Sequence, residues 1–148
     1  HDPEQVTEAI VTNGLSCIRL LCLLAPRFRA RGRGSLAVIT SVAGVRGRAS
    51  NYVYGSAKAL VSTYLQGLRA ELHPHGIHVM DIRPGFVDTP MTRQFRKGIL
   101  WSTPEQVARL IERGMERRRD TLYTPGFWRF IMWGIRMIPE PVFKRSKL

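Results

Sequence analysis

The sequence predicts an α/β fold built on a parallel sheet. Short apolar runs alternate with segments of helical periodicity, as in β-α-β crossovers. The runs are continuous rather than alternating, which suits strands covered on both faces. Each of the two clearest runs is followed by a loop containing glycine. About three strands are visible, with helices expected on both faces of the sheet.

Asp2-Pro3-Glu4 reads as a helix start, with Asp2 as cap and Pro3 in the first turn. Val6, Ile10, Leu15, Ile18, Leu21, Cys22 and Leu24 carry that helix over 3–31, to a stop near Arg31-Gly32. Gly32-Arg33-Gly34-Ser35 is a turn, and Leu36–Thr40 is the first strand. Ser50-Asn51 opens a helix to about Leu72, in which Ala57, Leu60, Val61, Tyr64, Leu65, Leu68 and Leu72 recur at helical spacing. His73-Pro74-His75-Gly76 stops it. Ile77–Ile82 is the second strand, ended by Pro84-Gly85. A short helix follows, then Thr103 caps a longer one, with Pro104 in its first turn, running to about Arg118. Asp120–Thr124 is the third strand, and a basic, aromatic-rich tail closes the chain.

The 148 residues allow one ordinary domain, and 44% hydrophobic with 23% charged residues is a globular balance. The sequence holds no uninterrupted apolar run of the roughly 18–20 residues that span a bilayer. Lys plus Arg number 23 against 11 for Asp plus Glu, a net charge of +12. That excess attracts nucleic acid, anionic lipid or phosphorylated ligands. No helix-turn-helix, zinc or aromatic RNA-binding motif accompanies it, so no specific nucleic acid is expected. Cys17 and Cys22 make no disulfide framework, and five residues apart on a helix they point about 140° apart. Two free thiols and the lack of a secretory signal predict a reducing, cytoplasmic setting. The start at His1, without an initiator Met, suggests a fragment or a processed chain.

Four features carry chemistry, each ordinary by itself. Tyr54 and Lys58 stand four apart on one helix face. A free phenol has a pKa near 10, and a neighbouring ammonium favours the phenolate, so such a pair can exchange a proton closer to neutrality. Ser41 follows the first strand, at the end where α/β folds place ligand groups. Arg83-Pro84-Gly85-Phe86-Val87-Asp88-Thr89 follows the second. Asn13 lies inside the first helix, where Asn is a modest helix former.

Together these resemble the short-chain dehydrogenase/reductase family, over nearly the whole chain to about Thr124. Asn13, Ser41, Tyr54, Lys58 and Pro84-Gly85 match its pattern in type, order and spacing, with Ser41 and Tyr54 13 residues apart. A narrower similarity, in Ser41–Lys58 (Arg46-Gly-Arg48 and Tyr54-Gly-Ser-Ala-Lys58 among them) and the tail, is to reductases of decaprenylphosphoryl-ketopentoses. The family resemblance implies that Tyr54 is the acid or base at a carbonyl or secondary alcohol. It implies that Lys58 lowers the Tyr54 pKa and binds the nicotinamide ribose, and that Ser41 holds the substrate oxygen. Asn13 would hold a relay water. Pro84, Gly85, Val87 and Thr89, with Tyr54 and Lys58, would border the nicotinamide of NADP or NAD. The implied fold is the C-terminal part of a Rossmann-type doubly wound sheet.

The family's glycine-rich nucleotide loop has no counterpart upstream of Asn13. Residues 1–125 are thus expected to be the catalytic part of such a domain, inactive alone, with an unpaired strand edge where a fourth strand belongs. Helices 3–31 and 50–72 are the expected contact of a homodimer or homotetramer. The tail, 126–148, has Trp, Phe and Met among Arg and Lys over 127–147. It suits an interfacial helix on anionic membrane, or a cover over the substrate cleft. A small-molecule or lipid-linked carbonyl or alcohol is the expected substrate. A non-catalytic module that dimerises, or binds membrane or nucleic acid, is the competing reading. His73, His75 and His78 lack the further ligands a metal site needs, so no metal is expected. Arg117-Arg118-Arg119 reads as a solvated helix end.

Overall fold

The computed structural model describes residues 2–146. His1, Lys147 and Leu148 lie outside the described residues, including the last two positions of the predicted tail. The elements run α1 (Pro3–Ile10), a π-helical turn (Val11–Leu15), α2 (Ser16–Arg31), β1 (Gly34–Ile39), α3 (Tyr52–Leu72), β2 (Ile77–Pro84), β3 (Phe86–Val87), β4 (Trp101–Ser102), α4 (Pro104–Glu116), β5 (Thr121–Thr124), α5 (Trp128–Met137) and α6 (Glu140–Phe143).

β1, β2 and β5 form a parallel sheet in the order β1-β2-β5. Gly34 pairs with Ile77, Ile39 with Ile82, and Pro84 with Thr124. On one face, Leu36, Ile77 and Val79 pack with Val61, Leu65, Leu68 and Leu72 of α3 and with Leu21 and Ala25 of α2. On the other, Met80, Ile82 and Leu122 meet Ile111 of α4. The sheet is covered by helices on both faces, as the continuous apolar runs require. Among the described residues β1 pairs on one side only, and Ile39 is exposed.

The predicted uniform helix over 3–31 is broken by the π-helical turn. There Gly14 lies against α3: a Cβ on it would come 3.2 Å from the Leu60 side chain and 3.4 Å from the Ala57 carbonyl. Asn13 Nδ2 donates to the Ala9 carbonyl (3.1 Å), and Ser16 Oγ to that of Thr12 (2.7 Å). Such back-bonding bends a helix and satisfies carbonyls around the irregular turn. Gly32, at φ 65°, ends the run in the left-handed conformation. The whole run, Pro3–Arg31, is long and apolar enough to cross a membrane by length and composition, with 17% of its apolar window buried. The criterion of an uninterrupted apolar run missed it because Ser16 and Arg19 divide that window. Its buried residues, Leu21 and Ala25, pack with α3.

Two further differences from the sequence reading have local causes. β1 starts at Gly34, because the parallel ladder recruits a residue that reads as turn. β3 and β4, a two-stranded parallel pair, are too short to leave a periodic pattern. The tail folds back as α5 and α6, with Trp128 and Met132 buried against Val42.

Candidate active site

The Thr40 N–H donates to the Ile82 carbonyl (2.7 Å), extending the ladder one residue beyond β1. Ser41 therefore leaves the sheet at its carboxyl end, beside Pro84-Gly85 of the neighbouring strand. Its Oγ accepts from the Ala43 N–H (3.1 Å) and caps a single 3-10 turn, Val42–Gly44.

That turn is pressed onto the start of α3. A Cβ on Gly44 would fall 2.8 Å from the Ala59 nitrogen, and one on Gly55 would fall 2.8 Å from the Ala43 carbonyl. Two missing methyl groups thus let the Ser41 loop and the Tyr54–Lys58 helix meet, backbone to backbone. Gly44→Ala is expected to cost about 2 kcal/mol by overpacking and to part Ser41 from Tyr54. Urea denaturation measures the first effect.

Ser41, Tyr54 and Lys58 converge. The Ser41 hydroxyl lies near enough to the Tyr54 phenol to influence its ionisation. The Lys58 ammonium lies 5.6 Å from the Tyr54 ring centroid and reaches the Ile39 carbonyl at 3.4 Å. Burial pushes the Tyr54 phenol above its ordinary pKa, and the Ser41 hydroxyl pulls it part of the way back. Burial lowers the Lys58 ammonium, with the Cys17 thiol acting the other way. Cys17 itself is raised by burial, against the lowering influence of Lys58. A partly desolvated phenol, hydroxyl and ammonium at one strand end can hold an oxygen and move a proton.

Asn13 sits next to Gly14, which touches α3 at Ala57, between Tyr54 and Lys58. Its side-chain amide donates to the Ala9 carbonyl, and among the described residues no hydrogen bond joins it to Ser41, Tyr54 or Lys58. Pro84, Gly85, Val87 and Thr89 line the carboxyl end of β2 and the start of the following loop. Thr92 Oγ1 donates to the Val87 carbonyl (2.7 Å), and the Thr89 N–H donates back to Thr92 Oγ1 (3.1 Å). The Trp128 indole lies directly on Gly85, where any Cβ would collide with it. Phe86 stacks on Trp101 and meets Trp128 edge-on, both at 5.3 Å between ring centroids.

Two constellations escaped the sequence reading. Arg46, five residues after Ser41, clamps the tail. Its Nη1 donates to the Ile135 and Ile138 carbonyls, both at 2.6 Å, and its Nη2 to Glu140 Oε2 at 3.0 Å. Its guanidinium also lies 3.7 Å from the Phe143 ring centroid. The loop that begins at Ser41 and the last two helices are therefore tied together. No spacing rule links residues so far apart in sequence.

The second is a buried polar chain beneath the site. Thr40 Oγ1 donates to Asp81 Oδ1 (2.5 Å), Arg83 Nε donates to Asp81 Oδ2 (2.7 Å), and Arg83 Nη1 donates to the Tyr123 hydroxyl (3.0 Å). Asp81 is 1% exposed. An aspartate in an otherwise apolar strand, two residues before an arginine on the same strand face, was a legible signal for it.

The histidines do not gather. His78 Nε2 donates to the Arg119 carbonyl (3.0 Å), which leaves Nδ1 to accept from the Ser35 hydroxyl (3.3 Å). Among the described residues no three His, Cys, Asp or Glu side chains converge as metal ligands. Cys17 and Cys22 are both free thiols.

Known proteins share this sequence pattern and fold. The short chain dehydrogenase profile matches residues 1–99. An uncharacterized oxidoreductase of Streptomyces coelicolor is 36% identical over 97% of this chain and 57% of its own length. One from Mycobacterium tuberculosis is 37% identical over 97% of this chain and 58% of its own. A solved short-chain dehydrogenase of Burkholderia cenocepacia, in complex with NADP, superposes with a TM-score of 0.85. It is 21% identical, over 98% of this chain and 60% of the other. The chain thus spans little more than half the length of the curated relatives it matches. With the profile covering two thirds of it, the chain belongs to the short-chain dehydrogenase family.

Proposed function

We propose that this chain is the catalytic portion, residues 1–125, of an oxidoreductase that interconverts a carbonyl and a secondary alcohol, with 126–146 folded over it. The observation that carries the reading is the convergence of Ser41, Tyr54 and Lys58 at the carboxyl end of the sheet. The Ser41 and Tyr54 hydroxyls hold the substrate oxygen by hydrogen bonds. In reduction Tyr54 donates its proton to that oxygen, and in oxidation the phenolate takes it back. The Lys58 ammonium stabilises the phenolate form. Asn13, on the irregular turn packed against α3, holds a water through which Lys58 exchanges protons with solvent.

A nicotinamide cofactor, NADP or NAD, supplies or accepts the hydride. The donor set fits such a group in part. Lys58 has N–H bonds beyond its one long contact with Ile39 to offer ribose hydroxyls. Pro84, Gly85, Val87 and Thr89 form the strand-end loop that would border the nicotinamide. No glycine-rich phosphate-binding loop occurs upstream of Asn13 in these 148 residues. The Burkholderia relative in complex with NADP supports the cofactor class.

Helices 3–31 and 50–72 are the proposed contact for a second copy. Leu20 and Leu23 of α2 and Leu60 of α3 are exposed, and Leu60, Tyr64 and Gly67 line a groove along α3.

The test is turnover by the whole protein of a ketone panel with NADPH and NADH. Lys58→Met is expected to lower turnover and to move the alkaline limb of kcat/KM upward, because losing the ammonium makes the phenol harder to ionise. An unmoved limb and undiminished turnover would remove Lys58 from the mechanism.

A further inference from the structure

Two adjoining cavities border α5. One, of about 680 Å³, is bordered by Arg113, Arg117, Arg119 and Arg129. The other, of about 620 Å³, is walled by Val45, Met132 and Trp133, with Arg136 at its margin. Tyr123, Arg129 and Phe130 are common to both, so the arginine-rich space opens into the apolar one. No carboxylate lines either cavity. Among the described residues, the ion pairs of the chain engage none of these five arginines.

α5 has two apolar faces. Trp128 and Met132 face inward and are buried. Phe130, Trp133 and Met137 face outward, 73%, 67% and 65% exposed. Among the described residues nothing covers the second face. Burying the first face against Val42, and clamping the helix end with Arg46, holds the outward face in a fixed orientation.

We propose that this surface docks on an anionic bilayer, with Phe130, Trp133 and Met137 entering the interface and the arginine cavity taking lipid phosphate. Aromatic and apolar side chains on a helix flanked by arginines bind membranes by apolar area plus charge. A guanidinium cluster without carboxylates matches phosphate oxygens. A second copy of the chain is the less suitable occupant, because a two-fold contact would set arginine cluster against arginine cluster. The proposal does not depend on the oxidoreductase reading.

The test is co-sedimentation of the full chain with vesicles of phosphatidylglycerol and phosphatidylcholine in equal parts, against phosphatidylcholine alone. Binding is expected to the first only and to weaken with salt. Arg117→Gln with Arg129→Gln should lower partitioning about thirtyfold, for two charges near the surface. Phe130→Ser with Trp133→Ser should lower it at least about tenfold while leaving the circular dichroism unchanged, since both side chains are outward. Brominated lipid should quench the fluorescence that Trp133→Phe removes.

No binding to the anionic vesicles overturns the proposal, as does binding that both double variants leave intact. Full displacement by soluble glycerol phosphate would make the site one for a soluble anion. Self-association abolished by the Phe130 and Trp133 changes would make the face a contact between copies. Either result overturns docking on a bilayer.

Discussion

Tyr54→Phe is expected to lower turnover of the whole protein by about 10²–10⁴-fold, the range for loss of a general acid or base. The substitution removes one oxygen. It leaves the ring in its half-buried place between the Ser41 loop and Lys58, and it leaves Gly55 against the Ala43 carbonyl. Stability should change by about 1 kcal/mol at most, the worth of one hydroxyl hydrogen bond. Steady-state kinetics and urea denaturation on the same preparation separate the two effects. A loss of activity matched by a loss of folded protein would count against a chemical role for the hydroxyl.

Asp81→Ala is expected to have the largest effect on stability, about 3–5 kcal/mol, the cost of breaking a buried ion pair from one side. Asp81 is 1% exposed and its partner Arg83 has a side chain 16% exposed. Without the carboxylate, the guanidinium stays at the sheet end with only the Tyr123 hydroxyl for company, and the Thr40 hydroxyl loses its shorter bond. Both residues are next to elements of the site: Thr40 precedes Ser41 and Arg83 precedes Pro84. Arg83→Met added to Asp81→Ala should therefore recover part of the loss, because it removes the unpaired cation. Urea midpoints for the single and double variants measure the recovery.

The sheet was legible in the sequence because parallel strands buried on both faces leave continuous apolar runs. Leu36–Thr40 and Ile77–Ile82 each lie within two residues of the observed strands. The helices were legible through Asp2, Pro3, Thr103 and Pro104 at their starts, and Thr103 forms a reciprocal cap with Gln106. Ser41, Tyr54 and Lys58 could be found because their spacing is local: a strand end, a loop and one helical turn. The contacts that set their geometry could not. Gly44 and Gly55 look like any loop or helix glycine until the backbones they separate are seen together. Arg46 and α5 are joined only in three dimensions. The π-helical turn at Val11–Leu15 inserts a residue into the helix, and its trace in the apolar spacing is a single turn, too short to stand out.

The tail illustrates how a composition can fit two surfaces at once. Its aromatic and basic residues predicted either a membrane-facing helix or a cover over the cleft. In α5 the residues divide: Trp128 and Met132 cover the loop after Ser41, while Phe130, Trp133 and Met137 remain outside. A helix of ten residues has room for both faces.

The central claim is that Tyr54 carries the proton to and from the substrate oxygen, and the pH dependence of carbonyl reduction by the whole protein tests it most directly. Reduction needs the phenol protonated, so the rate should fall as pH rises through the Tyr54 pKa. Burial places that fall at higher pH, and Ser41 draws it back in part. In Tyr54→Phe the residual rate should lack this alkaline limb. The same limb, at the same pH, in both proteins would contradict the account.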